Sequence, residues 1–227
     1  SRLSFLDANN YGWTLSYSAS NATEFSAQDI GATEYYRNFT SVELTDSNDI
    51  WTVTANDTAL KASGIINAGA GTNTLKGSIS NSDDIGDFYL NFDQIELTIG
   101  SDAWEVKGGD TNLNFVNALI GSDTLVYDGM NNMTNSLAMG DDAFYQNFES
   151  VDLGSGADEW RASTNDAFLG LNISGGSGVD LLSYHDYEQA ITSFSKSAYM
   201  DTLYTSFSSI ELATNNNTWV YDIGDSS

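Results

Sequence analysis

His185 is the one imidazole in the sequence, and it stands in Tyr184-His185-Asp186-Tyr187. An imidazole beside a carboxylate, with a phenol in reach, has the make-up of a general base. The segment has no counterpart in the repeats described below, so His185 reads as an exposed loop residue rather than a catalyst. The chain has no Cys, which removes thiol nucleophiles, thiolate metal sites and disulfides. No Ser/His/Asp order, phosphate-binding glycine loop or zinc-ligand spacing is present. Glycoside hydrolysis needs two acids flanking a sugar bond, and with 32 acidic residues in the chain no particular pair stands out. The seven basic residues, among them Lys61, Lys76, Lys107 and Arg161, are scattered, where a lyase acting on an acidic polysaccharide would need them grouped. The expectation is a protein that is not an enzyme.

The carboxylates are ordered in one respect. Asp158 and Asp180 lie 22 residues apart, Asp102 and Asp123 lie 21 apart, and Asn73 follows Asp49 by 24. On a coil of that length these turn positions stack. Two carboxylates so placed repel by about 1 kcal/mol in water and by several at a lower effective dielectric, and a bound Ca²⁺ relieves that repulsion with carboxylate and carbonyl oxygens. Asp102, Asp123, Asp158 and Asp180 are therefore the candidate metal ligands. The competing reading makes them Asx turns, whose side chains bond the local backbone; only two carboxylates can be named per site, against roughly six or more oxygens for calcium.

The elements that must position these residues are written four times. The copies are YYRNFTSVELTDSNDIW (35–51), FYLNFDQIELTIGSDAW (88–104), FYQNFESVDLGSGADEW (144–160) and LYTSFSSIELATNNNTW (203–219). In each, a Phe (Phe39, Phe92, Phe148, Phe207) precedes a Trp (Trp51, Trp104, Trp160, Trp219) by 12 residues, while successive copies are 53, 56 and 59 residues apart. A repeat of that period marks an array whose units bury their apolar faces on one another. A Trp row can stack on sugars, but each Trp heads an alternating in-out pattern, so the Phe and Trp series is assigned to the core. In the aromatic pairs, such as Tyr35-Tyr36 and Phe144-Tyr145, one member should point outward if the segment is extended.

Each cassette holds two short strand patterns, as in Val42-Glu43-Leu44 and Trp104-Glu105-Val106-Lys107, joined by a turn rich in Gly, Asn and Asp. Val151 to Ile173 and Trp160 to Leu182 are both 22 residues, Trp104 to Leu125 is 21 and Trp51 to Leu75 is 24. These offsets predict an all-β fold, a parallel β-solenoid of eight or nine rungs forming one elongated domain over 1–227. At roughly 4.8 Å per rung the rod would be about 40 Å long. An array of β-sandwiches is the alternative. Short helices find room only in 120–145 and 185–205. Trp13-Thr14-Leu15-Ser16-Tyr17 lies over Asp123–Tyr127 and Asp180–Tyr184, so the stretch is expected to start, and likewise to stop, within a repeat of something longer or of a subunit that joins others.

A net charge of -25 argues against nucleic acid and anionic membrane surfaces as partners. No apolar run approaches the roughly 20 residues of a membrane-spanning helix, and any export signal is expected outside this stretch. The absence of Pro suits uninterrupted strand ladders.

Gly175-Gly176-Ser177-Gly178-Val179-Asp180-Leu181-Leu182-Ser183 fits the Gly-Gly-x-Gly-x-Asp-x-Leu-x nonapeptide of the calcium-binding β-roll. With the Asp-Thr-Leu-x-Tyr and Phe-x-x-Ile-Glu segments, the chain resembles repeats of bacterial haemolysin-type and filamentous-haemagglutinin-type large adhesins. The other turns depart from the nonapeptide: Ala68–Asn73 has Asn for Asp, and Gly100-Ser101-Asp102 is shortened. The resemblance implies a secreted or cell-surface β-helix, serving as the stalk or fibre of an adhesin or biofilm-matrix protein, with Ca²⁺ as its cofactor. The alternatives are a β-helix that binds or processes carbohydrate and a self-assembling extracellular filament subunit. The expected partners are the chain itself, end to end or laterally, or a cell-surface or matrix polysaccharide.

Overall fold

A three-residue strand with one apolar side chain buries too little to stand alone, so the fold depends on how many such strands can be laid side by side. The computed structural model of the chain describes residues 6–8, 13–17, 24–30, 36–62, 64–127, 138–140, 143–162, 164–183 and 203–211. Within them the strands are mostly three residues long, with the middle residue inward, as in Ser41–Glu43, Ile50–Thr52, Gln94–Glu96 and Glu159–Arg161. They pair in parallel, and the chain is a parallel β-solenoid.

The chain divides into two units, Ser1–Ile99 with Lys107–Leu119, and Gly100–Val106 with Ile120–Ser227. In the first, Leu15, Val42, Ile66 and Tyr89 form one ladder of inward residues. Phe25, Trp51, Leu75, Ile95 and Val116 form another. In the second unit the ladders are Trp104, Leu125, Val151, Ile173 and Tyr204, and Trp160, Leu182 and Ile210. The pairs Trp51/Leu75, Trp104/Leu125, Val151/Ile173 and Trp160/Leu182 are the four that the sequence offsets had placed together.

The cassettes do not stack face on face. Val42 of the first cassette lies in one ladder and its Trp51 in the next; Ile95 of the second cassette joins the Trp51 ladder, and its Trp104 belongs to another. Val151 of the third joins the Trp104 ladder, and Ile210 of the fourth joins that of Trp160. Each cassette is thus advanced by one face of the coil relative to the one before it.

The described residues make about six turns, fewer than the eight or nine expected. The expectation spent nearly every residue on ladders, whereas short helices and connectors take up chain between strands. Of the two stretches where the sequence left room for helices, Thr124–Val126 and Tyr204–Thr205 are strands, and most of the remainder lies outside the described residues. Among the described residues helical turns follow each of the first three cassette Trp residues: α1 (Asp57–Lys61) after Trp51, α2 (Thr164–Leu169) after Trp160, and a 3-10 turn at Gly108–Asn112 after Trp104; a further 3-10 turn lies at Ala27–Asp29.

Candidate functional site

The turn aspartates stack, and they do so through the backbone. Asp102 N–H donates to Asp123 Oδ1 at 2.7 Å, Asp158 N–H to Asp180 Oδ1 at 3.0 Å, and Asp49 N–H to Asn73 Oδ1 at 2.9 Å. Each carboxylate or amide oxygen on one rung therefore accepts the N–H left over at the turn of its neighbour. The carbonyls of Asn73, Asp123 and Asp180 each accept two N–H groups in turn, from 93 and 94, 149 and 150, and 208 and 209. Asn73, Asp123 and Asp180 are fully buried. Oδ2 of Asp123 and Oδ2 of Asp180 are buried without a hydrogen-bond partner. Burial pushes the Asp123 carboxyl up from its ordinary value; the Asp102 N–H opposes this, and the charges of Glu149 and Asp102 add to it. A Cβ at Gly121 would lie 2.8 Å from both Asp123 oxygens, so only glycine leaves room for this carboxyl to tuck in. Of the four candidate metal ligands, Asp123, Asp158 and Asp180 are buried and Asp102 is partly exposed. Among the described residues no three His, Asp or Glu side chains gather in a metal-holding group.

A second arrangement centres on Asp57, one residue into α1 and 96% buried. Its Oδ2 accepts Trp51 Nε1–H at 2.8 Å and Tyr89 O–H at 2.9 Å, and its Oδ1 accepts both the N–H and the hydroxyl of Thr54, at 3.1 and 3.0 Å. The second unit repeats it: Asp166 Oδ2 accepts Trp160 Nε1–H at 2.9 Å and Tyr204 O–H at 2.8 Å. Each clamp ties the Trp of one cassette to the Tyr of the next. Four donors hold the Asp57 charge without any cation, and burial together with that charge pushes the Tyr89 phenol well up, so it stays a donor. Asp110, in the same place after Trp104, is also buried and accepts Ser82 Oγ–H at 2.5 Å.

Tyr35 lies outside the described residues, and Phe144 is half-buried beside the buried Tyr145, but one aromatic pair departs from the expectation. Phe88 and Tyr89 are both buried, because Phe88 ends a turn rather than extending the strand. Each Tyr meets the cassette Phe edge to face: Tyr36/Phe39, Tyr89/Phe92, Tyr145/Phe148 and Tyr204/Phe207, with centroids 6.0–6.3 Å apart. The residue before each Phe (Asn38, Asn91, Asn147, Ser206) has φ near +60°, which brings the rings together; Asn tolerates that conformation better than most residues. Trp51, Trp104 and Trp160 are fully buried, Phe92 and Phe148 buried, and Phe39 and Phe207 half-buried. His185 and Trp219 lie outside the described residues.

Sequence reasoning missed Asp57, Asp110 and Asp166. The signal was there: each follows its Trp by six residues, as does Asp225 after Trp219. No protein-family model, curated protein or solved structure matches the chain.

Proposed function

We propose that the chain is a non-enzymatic structural segment of a secreted or cell-surface adhesin or biofilm-matrix protein, acting as a stalk or fibre. The observation that carries this reading is where the repeated polar residues go. The turn carboxylates receive rung N–H groups and the clamp carboxylates receive Trp and Tyr, so what the repeat conserves from cassette to cassette is spent on holding the coil. A net charge of -25 favours solubility in a cation-rich extracellular medium. The partners that suit it are further copies of itself and matrix polysaccharide. Immunogold electron microscopy of natural material tests the reading. Label along surface or matrix fibres is expected; label confined to the cell interior, or polysaccharide cleavage by the purified chain, overturns it.

Calcium belongs to the same reading at one turn, Gly175–Asp180. Asp180 Oδ2 is a buried oxygen without a hydrogen-bond partner, the kind of atom a hard cation takes up, though most of the roughly six oxygens would have to come from carbonyls and water. Calcium that binds only the folded chain raises its melting temperature by mass action. A rise beyond that given by NaCl at equal ionic strength, lost in Asp180→Asn, supports the site; equal rises in the two salts remove it.

A further inference from the structure

The cassette is fixed and the connectors stretch, so any function beyond building the coil falls to the connectors, as insertions in repeat proteins commonly do. The connector Gly77–Asp87 in the first unit borders a half-open cavity of about 160 Å³, closed on its other side by Val53 and Tyr89. At the start of the connector Gly77 has φ +134°, and a Cβ there would press on Val53 at 3.3 Å. The cavity is lined by the apolar side chains Val53, Ile79 and Ile85 and by the polar Ser78, Asn81 and Asp84. The connector is held by its own turns, with Ile85 N–H on Ser82 O and both Phe88 and Tyr89 N–H on Asp84 O, so the cavity is preformed.

We propose that this cavity binds one ring of a neutral sugar. A pyranose offers apolar C–H faces and hydroxyl edges, matching aliphatic side chains beside hydroxyl, amide and carboxylate groups. The volume is about half of the roughly 300 Å³ at which sites for drug-sized ligands begin, which fits a single ring with the rest of a glycan outside. Charge selects against acidic sugars: the chain carries -25, and Lys61, the cation beside the cavity, is already paired with Asp84 at 2.5 Å. That pairing also leaves Asp84 no cationic ligand to seek. The Tyr89 hydroxyl on the wall is committed to Asp57, so its hydrogen is not offered to the ligand. Asn81 Oδ1 accepts Asp83 N–H at 3.0 Å, and its amide hydrogens are the donors that face a ligand hydroxyl.

The inference stands apart from the stalk reading, since a stalk need bind no sugar and a sugar-binding coil need be no stalk. Its test is a titration of the isotope-labelled full chain with the methyl glycosides of glucose, galactose and N-acetylglucosamine, and with glucuronate, followed by amide shifts. Saturable shifts at residues 78–85 with at least one neutral glycoside are expected, at a dissociation constant on the order of 1 mM. They should vanish in Ser78→Trp, which fills the cavity from an exposed position, and weaken at least several-fold in Asn81→Asp, which keeps the Asp83 contact but loses the amide donor. No saturable shift with any neutral glycoside, shifts that survive both substitutions, or tighter binding of glucuronate overturns the proposal.

Discussion

Trp51 and Tyr89 stand 38 residues apart and give their polar hydrogens to one oxygen, Asp57 Oδ2, at 2.8 and 2.9 Å. The bond joins the first cassette to the second where the chain passes from ladder to ladder, and Trp160, Asp166 and Tyr204 do the same for the third and fourth. Asp57→Ala strands a buried indole N–H, a phenol and both Thr54 donors, and is expected to cost about 3–5 kcal/mol. Tyr89→Phe removes one donor from a carboxylate that keeps three, and should cost about 1.5–3 kcal/mol. In the double variant the Tyr89→Phe increment should largely disappear, because its acceptor is already gone. Urea unfolding of the four proteins measures this; additive losses would mean the clamp does not act as a unit.

Trp160 and Trp13 separate burial from residue type. Trp160 is fully buried and Trp13 is 61% exposed, outside any cassette. Trp160→Ala should cost about 3–5 kcal/mol, as truncation of a buried aromatic does. Trp13→Ala should stay within about 0.5 kcal/mol. Equal effects would contradict the burial assigned to the ladders.

The coil was legible because a ladder demands like residues at like intervals: Trp51/Leu75 and Val151/Ile173 were predicted as neighbours and are paired residue for residue. The one-face advance of each cassette was not legible. Leu, Ile, Val and Trp all serve as the middle residue of a strand, so nothing in Ile95 says that it follows the connector's Leu75 into the ladder of the first cassette's Trp51. The turn aspartates were located correctly, but sequence spacing could not distinguish a carboxylate that accepts a neighbour's N–H from one awaiting a cation. The clamp aspartates were hidden by abundance: among 32 acidic residues, a six-residue offset from Trp attracts no notice until Asp57 is seen beneath the indole.

Gly178 tests the turn ladder. It pairs with Gly156 across adjacent rungs at φ +146°, and a Cβ there would fall 1.6 Å from the Gly156 carbonyl oxygen. No rotamer relieves a clash with backbone, so Gly178→Ala should cost well above the roughly 1 kcal/mol of an ordinary glycine replacement. The neighbouring Val179 is 72% exposed, and Val179→Ala should change stability by less than about 0.5 kcal/mol. Thermal unfolding of the two variants compares them directly; a tolerated Gly178→Ala would show that these rungs are not held so close.

Asn73 and Asp123 occupy the same place in two turns and differ by one group. Asn73 Nδ2–H donates to Asn91 O at 3.0 Å and Ala70 O at 3.4 Å, whereas Asp123 Oδ2 has no hydrogen-bond partner. Ile120 and Asn147 hold the chain positions that correspond to Ala70 and Asn91, Asn147 with the same left-handed backbone. An ionised carboxylate has no hydrogen to give where the amide donates two, and burial first, with Glu149 and Asp102 after it, pushes the Asp123 carboxyl above its ordinary 3.8. The sign follows from linkage: a raised folded-state value means the folded chain holds the proton longer than the unfolded chain. Asp123 therefore contributes stability below the ordinary carboxylate value, and this is lost as pH rises through the folded value. Asp123→Asn should melt higher than the natural chain at pH 7, since it supplies the donor permanently. The gap should close on acidification to the ordinary carboxylate value and below, where the carboxyl is protonated in folded and unfolded chain alike. Other carboxylates titrate in both proteins alike, so the difference between the two melting curves isolates this group. A variant that melts lower at pH 7, or a gap that does not change with pH, would show that Asp123 is held as a carboxylate.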